Sequence, residues 1–431
     1  MLAAPYEGAN AAVNEIVRDV VSWREDWEKR GITFTGQSTS DVFANTTGGA
    51  STGSTYNGML LAAVSLDLEK AVGWKGASFD STWLWVYGQN ISTQNVGNSF
   101  YTDGLGPATP FRCYQLWLQQ EFLDDKVSLR AGVLGLDSEF VVSEAAELFI
   151  NATFGMPFLL INNFPGGGPT YPMAAPAVRL AVQPCNWLTF RTAISQANPF
   201  SPEVNEQNLA FNFGSSGALL SLNEVAASWH DGTEYTGLPG TAKAGFWVQS
   251  GSASSDAGGD PFVYTSPSSP AYGTGFYTLL EQQLTSPCRT MEAKELQRWA
   301  PYVRGAAERK KIRCREGLRS FARVGFSPQT YSVTSFYADG GLVYKGLLPG
   351  RKKDRVGVAF AYAQMGPDMG AQASDQGLPG ASYEAIAEFS YSLVLTPNIA
   401  VQPDLQYVIR PNGTTQYGNA LLLGLRLVVS F

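Results

Sequence analysis

Apolar and polar residues alternate with a period of two along most of this 431-residue chain. The stretch 419–431 carries the pattern most cleanly. Leu421, Leu423, Leu425, Leu427, Val429 and Phe431 fall on one face of an extended strand, and Ala420, Leu422, Gly424, Arg426, Val428 and Ser430 on the other. Successive strand side chains point to opposite faces, so one face is wholly apolar while the other holds a charge and small residues. In water, a long apolar strand at a sheet edge would invite further pairing. A sheet closed on itself in a bilayer has no edge, with lipid outside and water inside.

The same alternation predicts sixteen strands, near 31–40, 56–70, 78–89, 111–122, 127–136, 176–184, 187–196, 217–229, 239–250, 272–283, 318–327, 335–346, 355–364, 381–393, 399–409 and 419–431. The expected fold is all-β: a transmembrane antiparallel β-barrel of about 16 strands over 31–431. Ahead of it, 1–30 forms a periplasmic N-terminal segment. There Ala12, Val13, Ile16, Val20 and Trp23 recur at helical spacing within 9–30. Connections tend to alternate between short turns (124–125, 184–186, 396–398) and long loops (90–110, 137–175, 251–271, 365–380). Outer-membrane barrels keep short turns on the periplasmic side, and a sandwich has no reason for the alternation. One insertion, 284–317, is long on the short-turn side. It reads as helical and basic through Arg298, Arg304, Arg309, Lys310 and Lys311. Cys288 and Cys314 bracket it and are the expected disulfide, closing a loop worth ~3 kcal/mol in the chain-entropy account.

Composition narrows the class. Charged residues are 16% of the chain, against roughly 25% in soluble proteins. Mean hydropathy is -0.09, and no run of ~18 apolar residues could make a membrane helix. Composition alone fits a large soluble all-β protein equally well; the alternation and the loop lengths separate the two. Met1–Pro5 show no charged start before an apolar core, so no secretory leader is expected in this sequence. A net charge of -7 argues against nucleic acid as a partner. His230 is the only histidine, and Cys113, Cys185, Cys288 and Cys314 form no CxxC pair. No second His is present to build a metal site or a Ser-His-Asp triad, which argues against a zinc enzyme or a typical hydrolase and leaves carboxylate chemistry open.

The alternation also assigns side chains to lipid or lumen. Arg130, Arg179, Arg191 and Arg323 fall on the lumen side, as do Glu384, Glu388 and Asp404. On 78–89, Leu84 and Val86 read as lipid-facing, which sends Trp83, Trp85, Tyr87 and Gln89 inward. On 111–122, Tyr114, Leu116 and Leu118 read as outer, with Gln115, Trp117, Gln119 and Glu121 inner. A slip by one residue would turn most of these charges to lipid, at ~2–4 kcal/mol for each Arg near the midplane. A sugar offers many hydroxyls and an apolar ring face. Guanidinium forks and carboxylates take the hydroxyls, and flat aromatics cover the ring. Arg130, Arg179 and Arg191 are therefore expected as a positive wall, Glu384, Glu388 and Asp404 as an opposing acidic wall, and Trp83, Trp85, Tyr87 and Trp117 as a stacking surface. The competing assignment for each charge is a solvated or structurally paired side chain, and for Trp83 an interfacial girdle.

Several segments together resemble the carbohydrate-selective porin (OprB) family of bacterial outer membranes. They are Leu66-Asp-Leu-Glu-Lys70 with Gly73-Trp-Lys-Gly76, Glu139-Phe-Val-Val-Ser143, Leu148 to Pro157, Gly166-Gly-Gly-Pro-Thr-Tyr-Pro172, Phe336 to Gly346 with Leu348-Pro-Gly-Arg351, Gln402 to Tyr407, and Asn419 to Phe431. They occur in family order across most of 20–431. The resemblance implies a sixteen-stranded barrel in the Gram-negative outer membrane that passes sugars by diffusion, without turnover or cofactor. It implies that 137–175 folds inward and narrows the channel. Gln89 and Gln115 stand where the family pattern often carries Arg and Glu, which implies a weaker charge pair there. The 284–317 insertion is outside the pattern.

The leading function is passive diffusion of monosaccharides and other small polar solutes. The alternative is an outer-membrane docking or scaffold protein that binds a periplasmic protein partner through 9–30 and 284–317. Outer-membrane lipid and small sugars are the expected contacts, and a homotrimer is left open.

Overall fold

Strand pairing runs in chain order around the whole molecule. The computed structural model describes residues 23–199, 205–209, 218–230, 237–250, 272–286, 316–329, 332–366 and 382–431. Sixteen antiparallel strands lie within them: β1 Ile32–Gly49, β2 Gly53–Asp67, β3 Ala77–Gly88, β4 Thr109–Phe122, β5 Val127–Leu134, β6 Ala175–Cys185, β7 Leu188–Gln196, β8 Leu219–Trp229, β9 Gly240–Ser250, β10 Tyr272–Gln283, β11 Gly317–Phe326, β12 Thr334–Lys345, β13 Arg355–Met365, β14 Tyr383–Thr396, β15 Ile399–Ile409 and β16 Gly418–Ser430. Each pairs with its neighbours in sequence, and β1 pairs with β16 from Gln37↔Ser430 to Gly49↔Gly418, which closes the barrel. Every expected strand is present. The largest boundary differences are at the start. β1 runs nine residues past its expected end at 40, because Asp41, Phe43 and Asn45 alternate inward through a sequence too polar to read as a strand. β2 stops at Asp67, whose side chain accepts the N–H of Lys70 and starts a short helix, Leu68–Val72, ended by Gly73 at φ 78.

The outer face is apolar. Leu405 is 39% and Leu423 53% exposed, while their neighbours Gln406 and Leu422 are fully buried. Zero exposure of these inward residues means that the lumen beside them is filled. The filling comes from the two longest described connections, 89–108 and 135–174, both at the long-loop rim. Phe100, Phe140, Leu148, Ile150, Phe154 and Leu159 from these loops form one apolar core with Phe43, Ile386, Val408 and Leu422 of the barrel wall. Two inward glycines make room for it. A Cβ on Gly325 would come within 2.4 Å of the Leu159 side chain, and one on Gly357 within 2.8 Å of Leu148.

That filling overturns one expectation. On β3 the inward residues are Asp80, Thr82, Leu84 and Val86. Leu84 and Val86 are completely buried, in a cluster with Met59, Leu105 and Tyr114. Trp83, Trp85 and Tyr87 therefore occupy the outer face and cannot stack on a solute in the lumen. Trp83 stacks on Phe111 with centroids 5.3 Å apart, and Tyr87 meets Tyr56 of β2. Gln89 lies one residue past β3, exposed, on the parity of these outer aromatics. The sequence reading equated apolar with lipid. Here the apolar residues meet a packed loop inside, and the amphipathic rings take the lipid–water interface. Tyr114 is also inward rather than outer. A register shift between Thr82 and Trp83 turns it in, and its hydroxyl donates to Asp137 Oδ1 at 2.9 Å.

Residues 23–29 are helical, and Trp23 stacks on Phe34 with centroids 5.0 Å apart. The rest of the expected 9–30 helix, most of the 284–317 insertion and the Cys288–Cys314 pair lie outside the described residues.

Candidate functional site

Two kinds of charged contact occupy the lumen, on different sides. On the β11–β16 side the carboxylates grip loop backbone. Glu384 accepts the N–H groups of Ser99 at 2.9 Å, Phe100 at 2.7 Å and Asn412 at 2.6 Å. Glu388 accepts those of Ile150 and Asn151. Asp404 accepts from Gln406, whose amide also donates to Thr102 O. Arg323 pairs with Asp339 and donates to the carbonyls of Thr153, Phe154 and Gly155. An inserted loop carries backbone N–H and C=O groups that need partners once dried, and these side chains supply them. All four are buried. Glu384, Glu388 and Asp404 thus do not form an acidic wall opposite the arginines; Glu384 and Glu388 hold loop backbone, and Asp404 orients the Gln406 amide that does so. Arg323 faces inward as expected, but within the same anchoring network.

On the β4–β9 side some of the charges keep exposure. Arg130 of β5 lies opposite Arg179 of β6, and both reach Glu139 of the internal loop, Arg179 at 2.8 Å. Both also donate to Gln119 Oε1, at 3.0 and 2.7 Å. The Arg130 guanidinium sits 3.8 Å from the centroid of Trp117, over its face. Arg191 reaches Glu224 of β8 at 3.2 Å, and its side chain keeps 26% exposure. Arg130, Arg179 and Arg191 are thus neighbours on adjacent strands, as the alternation requires, and Trp117 is the one predicted aromatic that faces in. Gln115 pairs with Thr82 on the same inward parity and is half-buried.

The acidic counterpart was not legible beforehand. It lies on the internal loop itself, in Glu139, Glu144 and Glu147, and on the wall in Glu224 and Glu281. Arg319 of β11 reaches Glu144 at 2.9 Å and Glu281 at 3.4 Å, and Glu281 in turn accepts from Ser143 and Ala145. Glu139 belongs to the quoted segment 139–143, yet periodicity could not place it, because loops have no period. Glu224 could have been found: it shares the inward parity of Leu220 and Leu222 on β8. Among the described residues no group of three or more His, Cys, Asp or Glu is arranged to hold a metal ion.

A row of paired, partly wetted charges beside an inward tryptophan suits polyols better than ions. Guanidinium and carboxylate each exchange a water for a sugar hydroxyl at little net cost, and many such contacts permit release.

The comparisons agree with this geometry. The model of the carbohydrate-selective porin, OprB family, matches residues 51–431. Porin B of Pseudomonas aeruginosa is 25% identical over 436 residues, covering 95% of this chain and 89% of that protein. The putative porin QuiX of Acinetobacter baylyi is 23% identical over 438 residues, covering 95% and 91%. The high-pH structure of Pseudomonas putida OprB shares the fold, with a TM-score of 0.77, 21% identity and coverage of 96% and 97%. The chain belongs to the carbohydrate-selective porin (OprB) family and is a sugar porin of the Gram-negative outer membrane.

Proposed function

We infer that neutral monosaccharides cross this porin beside the 139–147 segment, in single file past Trp117, Arg130 and Arg191. The observation that carries this reading is the layered contact of Trp117, Arg130 and Glu139. A ring face, a fork of donors and a carboxylate lie within one sugar's reach, and Arg179 shares the carboxylate. The charges are paired, so a passing ion gains little, while a hydroxyl can insert into the existing hydrogen bonds. The side chains of Arg130 and Arg191 keep 16% and 26% exposure, which supports their contact with lumen water.

The test is glucose-induced noise and block of ion current in planar bilayers. Trp117→Ala and Arg130→Gln should each weaken the glucose block while the channel still conducts. Unchanged block in both variants would remove this strip from the sugar path.

A further inference from the structure

One peptide of the internal loop is bent against its own preference. Val141 has φ 61, in the left-handed region that a β-branched side chain disfavours. Its side chain is 1% exposed. Something must hold this turn, and two wall residues do. The N–H of Val141 donates to Glu224 Oε2 at 2.8 Å, and the carbonyl of Val142 accepts from Lys243 Nζ at 2.7 Å. Glu224 and Lys243 are on adjacent strands, β8 and β9. One residue's N–H and the next residue's carbonyl are thus gripped by a carboxylate and an ammonium from one patch of wall.

Glu224 has further duties. Its Oε1 takes Arg191 of β7 at 3.2 Å and lies 3.9 Å from Lys243 Nζ, and its Oε2 accepts the Tyr277 hydroxyl of β10 at 3.2 Å. The carboxylate is buried, so its contacts are made in a partly desolvated setting where charged hydrogen bonds gain strength. The bend it holds lies between Glu139, which meets Arg130 and Arg179, and Glu144, which meets Arg319. The same group therefore fixes the loop's turn and one arginine of the strip.

We propose that Glu224, with Lys243 as its second jaw, is a positioning residue that sets the width of the passage. The pin ties the bent Val141 peptide to the wall of β8 and β9, and without it the loop relaxes out of this arrangement. This rests on the reading that solutes pass beside 139–147, and it adds a residue that need not touch the solute.

The test uses the full chain in planar bilayers. E224Q keeps the size of the side chain but removes the charge that holds two cations and an N–H. Loss of a charged hydrogen bond should raise the share of time in a wider, higher-conductance state roughly tenfold. Anion preference should also increase, since Arg191 and Lys243 lose their counter-charge. K243M should widen the channel without increasing anion preference. In the E224Q background, Val141→Gly should restore much of the narrow conductance, because glycine adopts this backbone without a pin. That rescue is one a general loss of stability would not give. Wild-type conductance in both E224Q and K243M, with barrels that still migrate as folded in unheated gels, would overturn the proposal. So would widening that Val141→Gly fails to reverse. If instead the Trp117 and Arg130 variants leave glucose block unaltered while E224Q widens the channel, the pin stands and the sugar path lies elsewhere.

Discussion

The two sides of the lumen use the same residue types for opposite purposes. Near β11–β16, Glu384, Glu388 and Arg323 are buried and spend their hydrogen bonds on loop backbone, and buried Asp404 holds Gln406, which donates to Thr102 O. Near β4–β9, Arg130, Arg179 and Arg191 meet acidic partners, and Arg130 and Arg191 keep part of their side chains exposed while Arg179 is buried between them. The difference does not lie in the strands, since both sets sit at alternating inward positions. It lies in what the loops bring to them. Where a charge is dried under 89–108 or 135–174 it becomes an anchor; where it keeps some exposure, as Arg130 and Arg191 do, it is free to meet a solute. A barrel lumen is thus no uniform aqueous surface, and inward parity alone does not identify a pore residue.

The largest effect should come from breaking an anchor. Arg323→Ala leaves Asp339 buried and unpaired, and Thr153, Phe154 and Gly155 lose a donor. About 3–5 kcal/mol of stability should go, read as a lower midpoint for heat-induced loss of the folded gel band. Arg191→Ala on the wet side should shift that midpoint far less. An equal shift would erase the distinction.

A second comparison concerns β3. Leu84→Ala empties a buried site and should cost ~2–5 kcal/mol. Trp85→Ala, on the outer face, should cost less. The reverse ranking would restore the expectation that Leu84 faces lipid and Trp85 the lumen.

Ion selectivity sharpens the wet side. Replacing Arg130, Arg179 and Arg191 together by Gln should turn the reversal potential in a salt gradient toward cations. Glu139→Gln alone should turn it toward anions, by a smaller amount. Unaltered selectivity in the triple variant would mean these side chains are out of the current path.

The smallest effect lies outside the strands, in the 346–354 turn. Burial by itself would raise Asp354, but the Arg351 fork, the Tyr391 hydroxyl and the Val394 N–H outweigh it and hold the carboxyl below its ordinary value of 3.8. A lowered folded value means that the turn gains stability above the unfolded value and loses it as pH falls through the folded one. The protection factor of the Val394 amide should therefore fall below about pH 4, and Asp354→Asn should flatten that dependence.

Much of the fold was legible because a barrel strand obeys one rule, two alternating faces, and β11, β15 and β16 follow it along most of their length. Trp83, Trp85 and Tyr87 were misread because the rule gives two faces but not what each face meets. Arg130, Arg179, Arg191 and Trp117 were legible as a group, since they sit at equivalent inward positions on β4–β7. Their partner Glu139 was not, and of Glu224 only the inward position was legible, not its role. Glu139 belongs to an aperiodic loop, and the importance of Glu224 depends on a bend at Val141 that no local pattern encodes. The carboxylates of β14 were found for the wrong reason: their inward parity was right, but only the inserted loop reveals that they bind N–H groups.

The most direct measurement is aqueous access to single thiols, in a background with the four native cysteines replaced by serine. Arg191→Cys and Leu422→Cys both face inward, one beside the gap and one beneath the loop. With a charged, water-borne thiol reagent, Arg191→Cys should react quickly and lower the current, while Leu422→Cys stays unreacted in the folded barrel. Equal reaction at both positions would contradict a lumen divided into a filled side and a wet passage.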